Sequence, residues 1–298
     1  MASGQNSSTA EAGGSGDRTR RTGILPGQAL RRLGDEGRIT AEGGIPDELI
    51  QPASLDLRLG RRAWRVRTSF LPGAASTVQQ KLDRLTMHEI DLGTPTVLER
   101  GCVYIVELQE RLRLPRDMSA KTNPKSSTGR LDVFTRLVTD HCESFESVAA
   151  GYDGPLYLEI APRTFSVLVG AGQRLNQLRV WRGNPRPSDN LHRELHQRSA
   201  LVSPESLDGA EPTIRDGLWV SVDLSGDSHD GLIGYRARHH APLIDLDRIN
   251  HYPVEDFWEP VRANADRTLI LDPNQFYILV SRERVAVPPA SAAEMVAY

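Results

Sequence analysis

Asn123-Pro124-Lys125-Ser126-Ser127-Thr128-Gly129-Arg130 is the stretch whose residue types most plainly suggest chemistry. Small hydroxyls, two cations and a turn-forming glycine sit there between apolar runs, the pattern of a polar loop held on a rigid scaffold. An anion is the natural guest of such a loop. Its partner is Glu159, in Tyr157-Leu158-Glu159, which lies 29 residues past Arg130. On a strand beside Leu158 and Ile160 this carboxyl would be partly desolvated, which favours its neutral form, while a nearby Arg130 would favour the ionised one. A carboxylate balanced in this way suits general acid/base work. The bland alternative is a structural Glu–Arg pair across a subunit contact.

The elements that must position these groups read as short strands. Leu55, Leu57 and Leu59 alternate with Ser54, Asp56 and Arg58, the period of a half-buried strand. Its outward Asp56 and Arg58 are expected to form a cross-strand or subunit-contact pair. Val97-Leu98 and Cys102 to Leu108 have strand character, closing at Leu114-Pro115. Beyond the loop, Leu131 to Val138, Pro155 to Ile160, Phe165 to Val169 and Leu175 to Trp181 add more strands between Gly and Pro turns. Pro26 to Leu33 predicts a short helix ending near Gly34 or Gly37, and residues 72–89 a loop with a second short helix. The expectation is a mainly β barrel or sandwich.

The 298 residues and net charge of −3 describe a globular chain without the basic face that duplex nucleic acid requires. No apolar run approaches the ~18 residues of a membrane span, so neither nucleic acid nor membrane is an expected partner. Cys102 and Cys142 are too few for a disulfide framework, and a cytoplasmic location fits best. Residues 1–21 are Gly/Ser/Thr-rich, lack the apolar core of a secretory signal and predict a disordered tail. The first β domain is then 22–184, followed by a polar linker with a surface helix over 185–209 and a second unit over 210–298. That second unit echoes the first. Ile270 to Tyr298 aligns without gaps on Val97 to Lys125, setting Tyr277-Ile278 on Tyr104-Ile105 and Glu283-Arg284 on Glu110-Arg111. Gly217 to Leu224 likewise echoes Gln51 to Leu57. The reading is a tandem duplication with an incomplete second copy, in a chain expected to be a fragment of a longer one.

Pro124 to Arg130 together with Ala150-Gly151-Tyr152-Asp153-Gly154-Pro155-Leu156-Tyr157-Leu158-Glu159 resembles the dCTP deaminase branch of the trimeric dUTPase-like superfamily. Gln51 to Gly60 is similar to that family's Pro-x-Ser-x-Asp-Leu-Arg strand, and Leu175-Asn176-Gln177-Leu178 to a later one. The resemblance spans roughly residues 23 to 182 and implies a dUTPase-like β-barrel or jelly roll. It also implies sites at the subunit boundaries of a homotrimer and hydrolytic deamination of a deoxycytidine nucleotide, dCTP to dUTP and ammonia, feeding dUMP and dTTP synthesis. Glu159 takes the acid/base role, with Ser126 and Arg130 orienting the water and the carboxylate. Lys125, Ser127 and Gly129 suit a triphosphate whose charge Mg²⁺ shares. Tyr152 and Gln177 are the remaining substrate-contact candidates, although a polar residue mid-strand such as Gln177 is about as often a solvated position.

Rival readings turn on single positions. A dUTPase-type diphosphohydrolase needs an Asp three residues before the aromatic of its Gly-Tyr-x-Gly turn, and Ala149 stands there. The same alanine departs from many deaminases, so Glu146 or Asp153 is expected to compensate. His141-Cys142-Glu143 superficially matches the zinc deaminases, but the Pro-Cys-x-x-Cys partner is missing, so no zinc is expected. Outside enzymes, the chain could be a nucleotide-binding regulatory module with a degenerate second copy.

Overall fold

The computed structural model of the chain describes residues 22–183, 188–207, 209–227 and 230–295; the expected N-terminal tail, 1–21, lies outside them. The first half supplies strands β1 (Gly23–Ile24), β2 (Ile39–Thr40), β3 (Leu55–Val66), β4 (Thr86–Asp91), β5 (Thr96–Leu98), β6 (Val103–Arg113), β7 (Met118–Pro124), β8 (Val133–Thr139), β9 (Ser147–Val148), β10 (Asp153–Pro162), β11 (Val167–Val169) and β12 (Arg174–Arg182). Among them lie helices α1 (Gly27–Asp35), α2 (Val78–Leu85) and α3 (Ser126–Arg130). Helix α1 forms as expected, with Pro26 extended at its N-cap, Leu30 and Leu33 buried, and Gly37 turning the chain at φ 64°. Helix α2 starts on a capping box in which Thr77 and Gln80 bond each other's backbone N–H.

The main sheet runs β8-β10-β6-β3-β12-β7-β9, with β1, β2 and β4 joined at its flanks, and it curls until its two ends meet. Inside lies one apolar cluster built from alternate residues: Leu55, Leu57 and Leu59 from β3, Leu156, Leu158 and Ile160 from β10, and Leu178 and Val180 from β12. The opposite face of β10 carries Tyr157 and Glu159. A second, smaller cluster covers that outer face, with Trp64, Val66, Ile105, Val138 and Tyr157 packed under Val78 and Leu82 of α2. The mainly β expectation holds, and the near-closed sheet puts one functional face outside the barrel rather than in it.

Two local expectations are corrected. The polar stretch 123–130 is not an open loop: β7 runs through Pro124, which ends the ladder for want of an N–H, and residues 126–130 wind into the single turn of α3. Asp56 and Arg58 do not pair with each other across the sheet. Asp56 is buried against Lys125, and Arg58 donates from its Nε to Glu110 at 2.7 Å.

The second half begins with helix α4 (Asp189–Arg198), capped by Ser188 and without a buried residue, the surface helix that its polar sequence predicts. Strands β13 (Leu232–Ala237), β14 (Ile244–Asp245), β15 (Trp258–Arg262) and β16 (Tyr277–Leu279) follow. A small antiparallel sheet, β15-β13-β16, stands apart, while β14 pairs in parallel with β11 of the first half. Phe165 meets Phe257 and Trp258 edge-on at this junction, with centroids 5.7 and 5.5 Å apart.

The second half keeps little of the strand pattern predicted for a second copy. Gly217 to Leu224 holds only the isolated bridges Ile214↔Leu218 and Val222↔Ser281, because Val220 and Val222 are exposed and have no apolar layer to pack on. Two details nonetheless match at the aligned positions. The Glu99 N–H donates to the Tyr104 hydroxyl at 3.0 Å, and the aligned Asp272 N–H donates to the Tyr277 hydroxyl at 3.3 Å. Glu110 accepts the backbone N–H of Arg58 and the aligned Glu283 that of Ser221, each across to a neighbouring segment.

Candidate active site

The end of β7, α3 and the facing residues of β3 and β12 form an open cleft of about 460 Å³. Its lining includes Ser54, Asp56, Lys125, Ser126, Ser127, Gln177 and Arg179. Three of the predicted loop residues and Gln177 therefore share one surface. The register explains why: Gln177 on β12 lies opposite Asp56 on β3 and Asn123 on β7. Ser54 donates from its hydroxyl to Gln177 Oε1 at 3.0 Å, which leaves the Gln177 amide NH₂ as the donor facing the cleft. Lys125 is a quarter exposed, and its ammonium is ion-paired with Asp56. Gly129 lies in α3, and no atom outside its helix lies within 4 Å of where a Cβ would stand.

Glu159 occupies a different place. It is 2% exposed on the outer face of β10, directly opposite Arg136 of β8. The Arg136 guanidinium donates to Glu159 Oε1 from Nε at 3.0 Å and from Nη2 at 2.5 Å. Oε2 is buried and has no hydrogen-bond partner among the described residues. A buried acceptor left unpaired costs roughly 1–3 kcal/mol, more for a charged one, so the free oxygen of Glu159 calls for an explanation, and a group arriving with substrate is one.

The arginine beside Glu159 is thus Arg136 and not the expected Arg130. Arg130 is exposed at the end of α3 and makes no side-chain contact with Glu159 within this chain. The cleft lining includes neither Glu159 nor Arg130. Tyr152 does not face the cleft: its hydroxyl donates to the Pro155 carbonyl at 2.6 Å and accepts from the Asp140 N–H at 3.3 Å. Burial pushes that phenol well above its usual range. The role visible for Tyr152 is to brace the turn around Gly151, whose φ of 76° needs a glycine.

Ala149 sits exposed in the same turn, its carbonyl accepting from the Tyr152 N–H at 3.2 Å. Of the acids expected to compensate for it, Asp153 forms a surface pair with Arg113 at 3.3 Å. Glu146 is half-buried, and burial first, then the nearby Glu294, pushes its carboxyl above the usual range. Cys102 packs against the main cluster and Cys142 against the outer one, so the two thiols do not converge. Among the described residues no three His, Cys, Asp or Glu side chains gather at one point.

Three groups escaped the sequence reading: Arg136, Ser54 and Asp56 in its buried, paired role. The sequence marks Arg136 only as a lone cation on the same strand face as Phe134 and Val138, with nothing to say that it faces Glu159.

Comparison with known proteins addresses the whole chain. A model of the 2'-deoxycytidine 5'-triphosphate deaminase N-terminal domain matches residues 21–184, and one of the C-terminal domain of the same protein matches 188–298. The chain belongs to the 2'-deoxycytidine 5'-triphosphate deaminase family. A crystal structure of that enzyme from Agrobacterium tumefaciens is 50% identical, with a TM-score of 0.85, over 90% of this chain and 76% of the other. A dCTP deaminase of Natronomonas pharaonis is 30% identical over 158 residues, 52% of this chain and 78% of the relative. The dUMP-forming dCTP deaminase of Thermobifida fusca is 28% identical over 203 residues, 65% of this chain and 98% of the relative. The resemblance seen in the loop and in Glu159 thus extends over both halves of the chain, and the relatives are named as dCTP deaminases, one of them as dUMP-forming.

Proposed function

We propose that this chain deaminates dCTP hydrolytically to dUTP and ammonia, supplying the dUMP and dTTP route, with Glu159 as the proton shuttle. The carrying observation is the Glu159 carboxylate in a chain of this family, nearly buried, anchored through Oε1 and with Oε2 without a hydrogen-bond partner among the described residues. Deamination adds water at C4 of the cytosine. One water proton passes to N3 as the tetrahedral adduct forms; the adduct's C4 hydroxyl proton then passes to the exocyclic amine, the C4–N bond breaks to release ammonia, and C4 becomes the carbonyl. One carboxylate oxygen in reach of the water, N3 and the amine can carry each proton in turn.

Ser126 and Arg130 orient the water and the carboxylate in this reading, and they reach Glu159 from a neighbouring copy. Two facts support that placement: the Ser126 cleft excludes Glu159, and Arg130 projects into solvent. A homotrimer with a site at each boundary accommodates both. Lys125, Ser127 and Gly129 take the phosphate chain, Gln177 the nucleoside, and Tyr152 holds the turn that follows. Mg²⁺ enters on the substrate's phosphates. The carboxylate in the cleft lining, Asp56, is committed to Lys125, and no zinc is assigned. Among the described residues no helix is long and apolar enough to cross a membrane, and the cytoplasmic nucleotide pool is the proposed setting.

The test is ammonia release from dCTP, dCDP and CTP, with and without chelator, with the product identified. The proposal expects dCTP to lead, chelator-treated enzyme to recover with Mg²⁺ alone, and dUTP to accumulate. A chelator-sensitive activity that only zinc restores would overturn the mechanism. Relatives named dUMP-forming give a second reading, in which dUMP and diphosphate appear; Ala149, where a dUTPase-type site has an acid, weighs against it.

A further inference from the structure

We infer that Arg136 is a positioning residue for the reaction, selecting which oxygen of Glu159 carries the proton. The inference rests on the proposed acid/base role of Glu159 and adds a residue that the loop motif does not contain. Its basis is the set of contacts that holds one guanidinium. Nε and Nη2 both bond Glu159 Oε1, at 3.0 and 2.5 Å, so the fork grips a single oxygen instead of bridging the two. Nη2 also donates to Ser69 Oγ at 2.8 Å. The guanidinium carbon stands 3.6 Å from the centroid of the Phe145 ring, with Phe134 at 4.9 Å on the same strand.

These supports come from three separate stretches of chain. Ser69 follows β3, Phe145 lies in the long segment between β8 and β9, and Arg136 faces Glu159 in register across the β8–β10 ladder. Phe145 in turn packs on the outer cluster, and Asp140 from the same segment accepts the first N–H of α2 at 2.7 Å. The guanidinium can therefore neither swing to Oε2 nor leave without disturbing several elements. The consequence for Glu159 is an asymmetric carboxylate. Oε1 is held by a permanent cation, and Oε2, buried and without a partner among the described residues, is the oxygen that meets water and base. Lysine at this position would supply the charge but not the planar fork.

The experiment compares Arg136→Ala, Arg136→Lys and Glu159→Gln in the full chain, with circular dichroism and melting as controls for folding. For Arg136→Ala, kcat for ammonia release from dCTP should fall about 10²-fold, the scale on which a misplaced group costs rate, with KM within about threefold. Guanidinium ion added to Arg136→Ala should restore at least about tenfold of that loss, and should do nothing for Glu159→Gln. Arg136→Lys, which retains charge and bulk, should fold and still lose about tenfold in kcat. If Arg136→Ala does not fold, Arg136→Lys decides. Wild-type kcat in the folded lysine variant, or in a folded alanine variant, overturns the positioning role. A loss confined to KM overturns it also. Full activity in Glu159→Gln sinks the acid/base reading itself, and an inactive Glu159→Gln beside fully active Arg136 variants sinks only this inference.

Discussion

The ammonium of Lys125 rests on the carboxylate of Asp56, which is itself only 3% exposed. An incoming phosphate chain must therefore compete with, or share, an existing ion pair. Truncating Lys125 to Ala should raise KM for dCTP by at least about tenfold, the worth of one charged hydrogen bond, while kcat stays within about threefold. Steady-state kinetics separate the two. Asp56→Asn should act on stability instead, because a partly buried cation is left unpaired, at a cost of about 3 kcal/mol in urea unfolding. The double change of Asp56→Asn with Lys125→Met should cost less than Asp56→Asn alone.

Gln177 is fixed by the Ser54 hydroxyl and opposite Asp56 and Asn123, so its amide reaches the cleft in one orientation. Gln177→Ala should raise KM about tenfold, and Ser54→Ala about threefold, because the second loses only the anchor of the first. Nucleotide titration by calorimetry checks both, and equal affinities in wild type and Gln177→Ala would remove Gln177 from the site.

Gly60 sits at the irregular step of the β3–β6 ladder, where a Cβ would lie 2.5 Å from the Glu107 carbonyl oxygen. Backbone cannot yield as a flexible side chain does. Gly60→Ala should destabilise by about 1–3 kcal/mol or prevent folding, as measured by thermal melting.

Glu146 gives a pH-dependent outcome. Burial, then Glu294, raises its carboxyl in the folded state, against the pull of Lys121 and Arg136. A carboxyl raised on folding costs stability above its folded pKa, and the cost fades as pH falls through that value toward the unfolded one. Glu146→Gln should therefore raise the melting temperature at pH 8, with the gain shrinking as the buffer is taken to pH 5. A gain that grows on acidification would contradict the assignment.

The fold of the first half was legible because its strands alternate cleanly: Leu55, Leu57 and Leu59 face the core as their spacing predicts. Helix α1 announced itself through Pro26, and α2 falls within the 72–89 stretch expected to hold a short helix, although its Thr77–Gln80 capping box was not read from the sequence. The Lys125 to Ser127 side of the cleft could be read because those residues sit where β7 ends, and local sequence governs strand ends; Gln177, in the middle of β12, was only one of two even readings. The neighbour of Glu159 could not be read. Which arginine faces it depends on the register of β8 against β10, set across an intervening segment that contains β9, and register leaves little trace in either strand alone. The second half misled for the opposite reason. Gly217 to Leu224 copies a strand's residue types, yet a strand needs a partner surface, and here Val220 and Val222 face solvent.

The central claim is that Glu159 carries the protons of deamination. Glu159→Gln keeps the shape of the side chain and its acceptor for Arg136 while removing the titratable oxygen. Ammonia release from dCTP, measured beside the wild-type chain with matched melting curves, should fall by at least about 10²-fold, the lower scale of general acid/base catalysis. Equal rates in the two proteins would contradict the account.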